Sequence, residues 1–342
     1  MAGRVLEIDV LKIFAFYLLF IFHSSLAQFY EGPMVYVEIY LLTCFFFAAG
    51  FLFVRSAERS SAKQFLKSKF FRLYLPFLAA LVFFFAFFSS DPMLLVYYAT
   101  GLSIFNSFWS GSHLWFIPVL LAYFILFLAI HKSNLSERHR LGVCIAMYSF
   151  FMLLCISGSP AGLDWRFMVF FWVFFAGTVI SEKNRLDWLA RKMDNKAVLA
   201  ASILLFMLSL FDYTPLQEIP SSSAYLVLAE IGYRLCFALS SCFISIWLIR
   251  RHSTFFTRFS RFISYTSYAS FFGYMLQPVI TIVVMDTILL TGASWFLVSS
   301  LPVHMGLVIP ATFAITVVVS FWLQKSYDGI VDRIRKTDTK TV

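Results

Sequence analysis

The stretch LEIDVLKIFAFYLLFIFHSS, residues 6–25, decides the reading of the chain. Between Lys12 and His23 it carries no charge, and its apolar residues do not alternate with polar ones as a barrel strand's would. In lipid every backbone amide must be satisfied within the protein, so an apolar run of this kind is a helix. About 20 such residues cross the hydrocarbon layer. The run is not a cleaved signal peptide, because it lacks a small-residue cleavage site and holds Asp9, Lys12 and His23 inside it.

Working outward, nine further apolar stretches follow at about 34–54, 73–90, 113–131, 141–158, 166–182, 197–211, 224–249, 264–287 and 298–324, after a first at 9–30. Hydrophobic residues make up 61% of the 342 and charged residues 13%, against about half and a quarter in soluble domains. The fold class expected is therefore all-α, a polytopic membrane helical bundle of about ten transmembrane helices. Lysine and arginine fix its orientation. The segments assigned to the inner side hold 25 of the 27 basic residues, leaving only Arg166 and Arg234 elsewhere. Glu31, Asp91, Asp164, Asp212 and Glu218 fall in the outer loops. By the positive-inside rule both termini are cytoplasmic. The net charge of +9 then needs no nucleic acid and faces anionic membrane lipids instead.

No loop is long enough to fold alone, so residues 1–324 read as one membrane domain and 325–342 as a basic cytoplasmic tail. Segment 91–112, containing YYATGLSIFNSFWSGS, reads as an outer loop with interfacial aromatic residues. The five cysteines fall inside spans, lack metal-ligand spacing and read as buried thiols. No metal and no permanently bound cofactor is expected. The 44 phenylalanines read as lipid-facing and interhelical packing, and no signature fixes an oligomeric state.

Ionisable groups inside spans are costly and so are either paired or functional. Lys12 and His23 are 11 residues apart, nearly three helical turns, and share a face about 17 Å apart along the axis. Lys12 is either a snorkelling anchor or a partner for phosphate or carboxylate. His23 is either a satisfied imidazole or a base. Asp9 can pair with Lys12 at i, i+3, and Glu230 with Arg234 at i, i+4 as a structural ion pair. Arg166 either pairs with Asp164 or faces an acidic substrate. His113 and Trp115 suit an interfacial belt or a substrate contact. Asp286 is placed at the outer end of the ninth helix, and His304 has no evident partner. His131, His139 and His252 read as solvated, near inner loops.

Several segments together resemble the acyltransferase 3 family of membrane acyltransferases. The first helix carries a basic residue 11 positions before a histidine, which puts His23 on the family's catalytic histidine and Lys12 where arginine is usual. FFFAAGFLFVRS (45–56) is similar to the family's FF-x-x-SGF/Y segment, with Ala49 in place of serine. KQFLKSKFFRLYLPFL (63–78) resembles its R-x-x-R motif, with Lys69 and Arg72 on the basic positions. HLWFIPVLLAYFIL (113–126) resembles an HLWF segment, and SYASFFGYMLQP (267–278) an SYxxY…H segment with Gln277 where histidine is frequent.

The resemblance implies transfer of an acyl group, usually acetyl, from acyl-CoA to a hydroxyl of a polysaccharide or glycolipid at the bacterial inner membrane. Lys69 and Arg72 would hold the donor's phosphates and His23, with Lys12, would serve the chemistry. His113, Trp115 and Arg166 would line the acceptor side. A secondary transporter or glycolipid flippase is the rival class, although no paired half-repeats are visible. An inactive relative is the third reading, because lysine lacks arginine's bidentate geometry.

Overall fold

The computed structural model describes residues 5–23, 31–88, 92–104, 113–133, 135–156, 165–182, 185–210, 224–290 and 303–338. Among them the protein is helical, with no strand. In chain order the α-helices are α1 (Leu6–Phe22), α2 (Glu31–Glu58), α3 (Ala62–Lys69), α4 (Leu75–Phe88), α5 (Pro92–Thr100), α6 (Phe116–Lys132) and α7 (Glu137–Ile156). They continue with α8 (Trp165–Glu182), α9 (Leu186–Met193), α10 (Lys196–Leu208), α11 (Ala224–Arg251), α12 (Ser253–Arg258), α13 (Ser260–Leu290) and α14 (Ile309–Asp338). Two π-helical turns, Phe70–Tyr74 and His304–Val308, lead directly into α4 and α14.

A helix occupies each of the ten apolar stretches. Among the described residues, four helical segments are long and apolar enough to cross a membrane: Met34–Glu58, Glu137–Ile156, Leu228–Arg251 and Met305–Arg333. Their outward surfaces are apolar as well. On α7, Phe150 and Leu153 are 58% and 68% exposed, which is unfavourable in water and suits hydrocarbon. Asp286 does not end its helix, since α13 continues to Leu290, and α14 runs unbroken past residue 324 to Asp338. Four cysteines are buried as expected, but Cys236 is exposed, on the outward side of α11.

The chain divides into two compact units, Met1–Phe45 with Leu248–Val342, and Phe46–Trp247. In the first unit α1 packs on α13 and α14. Phe16 meets Phe20 and Phe313, each with ring centroids 5.3 Å apart, and Gly273 on α13 leaves room for the Phe16 ring. Polar contacts tie the start of α1: Arg250 donates to Glu7 Oε1 at 2.8 Å and Ser267 to Asp9 Oδ1 at 2.6 Å. Along α14 a row at four-residue spacing, Thr312, Thr316, Ser320 and Gln324, is buried rather than apolar. Small and hydroxylated residues in such positions let membrane helices approach closely.

The second unit is built on aromatic rings. Phe46 lies flat against Phe170 at 4.8 Å, and Tyr123, Phe127 and Phe174 close the same cluster. The Tyr123 hydroxyl is satisfied by the Phe167 carbonyl at 2.5 Å. Helices α2 and α8 touch backbone to backbone at two glycines. A Cβ on Gly50 would fall 2.2 Å from the Phe174 carbonyl oxygen, and one on Gly177 2.4 Å from that of Phe47.

Segment 91–112 departs from the outer-loop reading. Its first half is α5, which folds back on α4, with Tyr98 buried against Phe85 and Ala99 accepting a 2.7 Å bond from Tyr74. Tyr98, read as interfacial, instead fills the space between two helices. The rest of that segment, 105–112, lies outside the described residues.

Candidate functional site

In the first unit His23 terminates α1. Its backbone N–H closes the last turn on Leu19 at 3.0 Å, and its ring stands edge-on to Phe22 with centroids 5.0 Å apart. It is half-buried. Lys12 lies 3.6 Å from Asp9 Oδ1, the oxygen that also accepts from Ser267. Asp9 thus orients Lys12 and not His23. Gln277, where the resemblance would place histidine, is wholly buried on α13. Its amide nitrogen donates to Thr281 Oγ1 at 2.9 Å, while Oε1 meets no donor among the described residues.

In the second unit the basic pair Lys69 and Arg72 sits where α3 gives way to the π turn. Helix α3 begins with a reciprocal capping box, in which Ser61 Oγ accepts from the Gln64 N–H and Gln64 Oε1 from the Ser61 N–H. It ends at Lys69, and the wider π turn after it changes the rotation between Lys69 and Arg72. Arg72 is exposed. Lys69 turns inward, its amine 4.5 Å from the centre of the Phe124 ring and 5.1 Å from that of Phe65. No carboxylate lies within ion-pair distance of it among the described residues. Burial first, and the neighbouring Arg72 charge second, push its pKa down from 10.5 to about 8. Lys69 lines a cavity of about 880 Å³ whose walls come from α3, the π turn, α5 and α6.

Of the other residues singled out, Trp115 and Arg166 are brought together, the guanidinium 5.4 Å from the indole centre. His113 opens the short 3₁₀ turn His113–Trp115 ahead of α6. Asp164 lies outside the described residues. Glu230 and Arg234 pair at 2.5 Å on α11. His304 opens the second π turn.

One grouping was not foreseen, and it corrects the reading of His131 as solvated. His139 and His252 are exposed, but His131, at the end of α6, faces Glu182 Oε1 at 3.3 Å. Arg140, from the start of α7, donates to the same oxygen at 2.6 Å. The three line a cavity of about 170 Å³ that also includes Cys144 and Thr178. Lys132, next to His131, donates to the carbonyls of Ala57 and Ser60 at 2.8 and 3.1 Å, closing the end of α2. The signal available in sequence was Glu182, an acidic residue beside a basic inner loop. Among the described residues no group of three His, Cys, Asp or Glu is placed to hold a metal ion.

Among the described residues the protein is thus all-helical, with four membrane-length apolar helices, a histidine closing α1 and a basic pair just ahead of α4. The sequence matches the family model of the acyltransferase 3 acyltransferase domain over residues 5–325, and the chain belongs to that family. No curated protein and no solved structure matches it.

Proposed function

We propose that the protein moves an acyl group, in the simplest case acetyl, from cytoplasmic acyl-CoA to a hydroxyl of a cell-surface polysaccharide or glycolipid. In this reading all ten apolar helices cross the bacterial inner membrane and both ends are cytoplasmic. The observation that carries the donor assignment is Lys69, a half-buried amine with no carboxylate partner among the described residues, beside the exposed guanidinium of Arg72. A cationic pair without an ion-paired carboxylate among the described residues is suited to the phosphates of CoA, which charge-assisted hydrogen bonds would hold.

In the other unit His23 is the general base. It takes the proton of the acceptor hydroxyl as that oxygen attacks the thioester carbonyl. The carbon–sulfur bond then breaks, and the leaving thiolate receives the proton from the imidazolium. Lys12, held by Asp9, supplies a positive charge on the same helix. Trp115 and Arg166 are assigned to the acceptor, which an indole face and a guanidinium would bind through the sugar ring and its oxygens.

The test is release of free CoA thiol by purified protein given acyl-CoA, together with acyl content of the surface glycan in cells. His23→Ala is expected to lower acylation by about 10²-fold or more at unchanged protein level. Normal glycan acylation in that variant would remove His23 from the reaction. Unchanged acyl-CoA affinity in a Lys69→Ala, Arg72→Ala double variant would reject the phosphate assignment.

A further inference from the structure

The cavity beside Lys69 is more than a phosphate needs. At about 880 Å³ it lies in the size range, about 300–1,000 Å³, of pockets that enclose most of a ligand. Its lining is largely hydrocarbon and aromatic, from residues such as Phe77, Tyr98, Leu121 and Ile125. Two of the lining hydroxyls are already engaged, Tyr74 with the Ala99 carbonyl and Thr100 with that of Val96, each at 2.7 Å. A sugar or a pantetheine amide placed against the apolar walls would find few partners to replace its hydrogen bonds to water. The side-chain charges of the lining belong to Lys67 and Lys69, both on α3. Charge on one wall and hydrocarbon on the others match an amphiphile whose phosphate is joined directly to a long apolar tail.

We propose that this cavity is a binding site for a membrane phospholipid with an anionic phosphate headgroup, the phosphate meeting Lys69 and an acyl chain lying along α5 and α6. The site goes beyond the transfer reaction: it shares Lys69 with the donor-phosphate assignment, but it uses neither His23 nor an acceptor and does not need acyl transfer to occur. Lys69 serves as the cation that selects the headgroup. Ala122, on the α6 wall, is where bulk would exclude the chain.

The experiment uses the full chain, delipidated in a non-ionic detergent, with decyl phosphate as the probe. Thermal unfolding is followed with decyl phosphate, decanol and inorganic phosphate in parallel. Decyl phosphate is expected to raise the midpoint, with the two half-ligands giving a small part of that rise at equal concentration. Ala122→Trp and Lys69→Gln are each expected to weaken the apparent affinity for decyl phosphate at least tenfold. Native mass spectrometry, after transfer into vesicles of phosphatidylglycerol and phosphatidylcholine, is expected to retain phosphatidylglycerol on the wild type and to lose it in Ala122→Trp. Equal stabilisation by decanol, by inorganic phosphate, or in the folded Ala122→Trp protein would overturn the site, as would equal retention of the two lipids. Should Ala122→Trp fail to fold, Ala122→Leu replaces it with the same criterion.

Discussion

Replacing Lys69 with methionine is expected to stabilise the ligand-free protein while removing its response to phosphate-bearing ligands. The amine is drawn down from 10.5 to about 8, chiefly by burial, so the fold carries a penalty for the charged form at neutral pH. At about 1.4 kcal/mol per pH unit that penalty is roughly 3 kcal/mol. The faces of Phe65 and Phe124 return part of it, about 1–2 kcal/mol for a partly desolvated cation over aromatic rings. Methionine keeps the length and flexibility of the stem without the charge, so the net gain expected is about 1–2 kcal/mol. For a protein of this size that is a rise of a few degrees in the unfolding midpoint.

The pH dependence gives the sharper check. Below pH 8 Lys69 is charged in both folded and unfolded chains, and the full penalty applies. Between pH 8 and 10.5 the unfolded chain binds the proton that the folded one has lost, so stability rises with pH. Above 10.5 both are neutral and the penalty is gone. The advantage of Lys69→Met should therefore be largest at pH 7 and shrink steadily toward pH 10. The assay is thermal unfolding of both proteins in lipid-free and phosphate-free detergent across that range. A variant that melts below the wild type at pH 7, or a gap that does not close as pH rises, would refute the account of Lys69 as a desolvated cation that its ring contacts only partly offset.

Three further outcomes are expected. Gly50→Ala and Gly177→Ala must each push α2 and α8 apart against backbone atoms, costing about 1–3 kcal/mol, and their combination should cost less than the sum because the first displacement makes room for the second; thermal unfolding of the three variants checks both points. Glu182→Gln leaves Arg140 and His131 facing a neutral amide and should destabilise by about 1–2 kcal/mol, with part recovered when Arg140→Gln is added; a double-mutant cycle in which the two changes simply add would show that the contact carries no energy. Gln277→Leu removes a buried acceptor that meets no donor among the described residues and should leave stability unchanged or raise it by about 1 kcal/mol, so a loss of that size on unfolding would contradict the assignment.

What the sequence made legible was local. Apolar length placed a helix in every one of the ten stretches, because a run of this kind has no other way to satisfy its backbone in hydrocarbon. The contacts Asp9–Lys12 and Glu230–Arg234 are separated by less than two helical turns, so spacing alone brings them together. The cluster of His131, Arg140 and Glu182 was not legible, because its members come from the ends of three helices and no periodicity relates them. The folding back of α5 was hidden for a different reason. Tyrosines suit an interfacial belt and an interhelical gap equally well, and composition cannot choose between them. The inward turn of Lys69 depends on a change of helical pitch that leaves no mark in the spacing of charges.

That change of pitch has a consequence for how the basic pair is built. A π turn holds one residue more than an α-helix would over the same rise, and such turns recur at functional positions. Deleting one residue from Phe70–Tyr74 would let α3 and α4 join as a single regular helix, and α3 would rotate by about 100° relative to α4. Lys69 would leave the ring face of Phe124 on α6, although no charged residue had been touched, while Phe65, on α3 itself, would turn with it. The extra residue acts as a spacer in angle, letting two cations three positions apart serve two different surroundings.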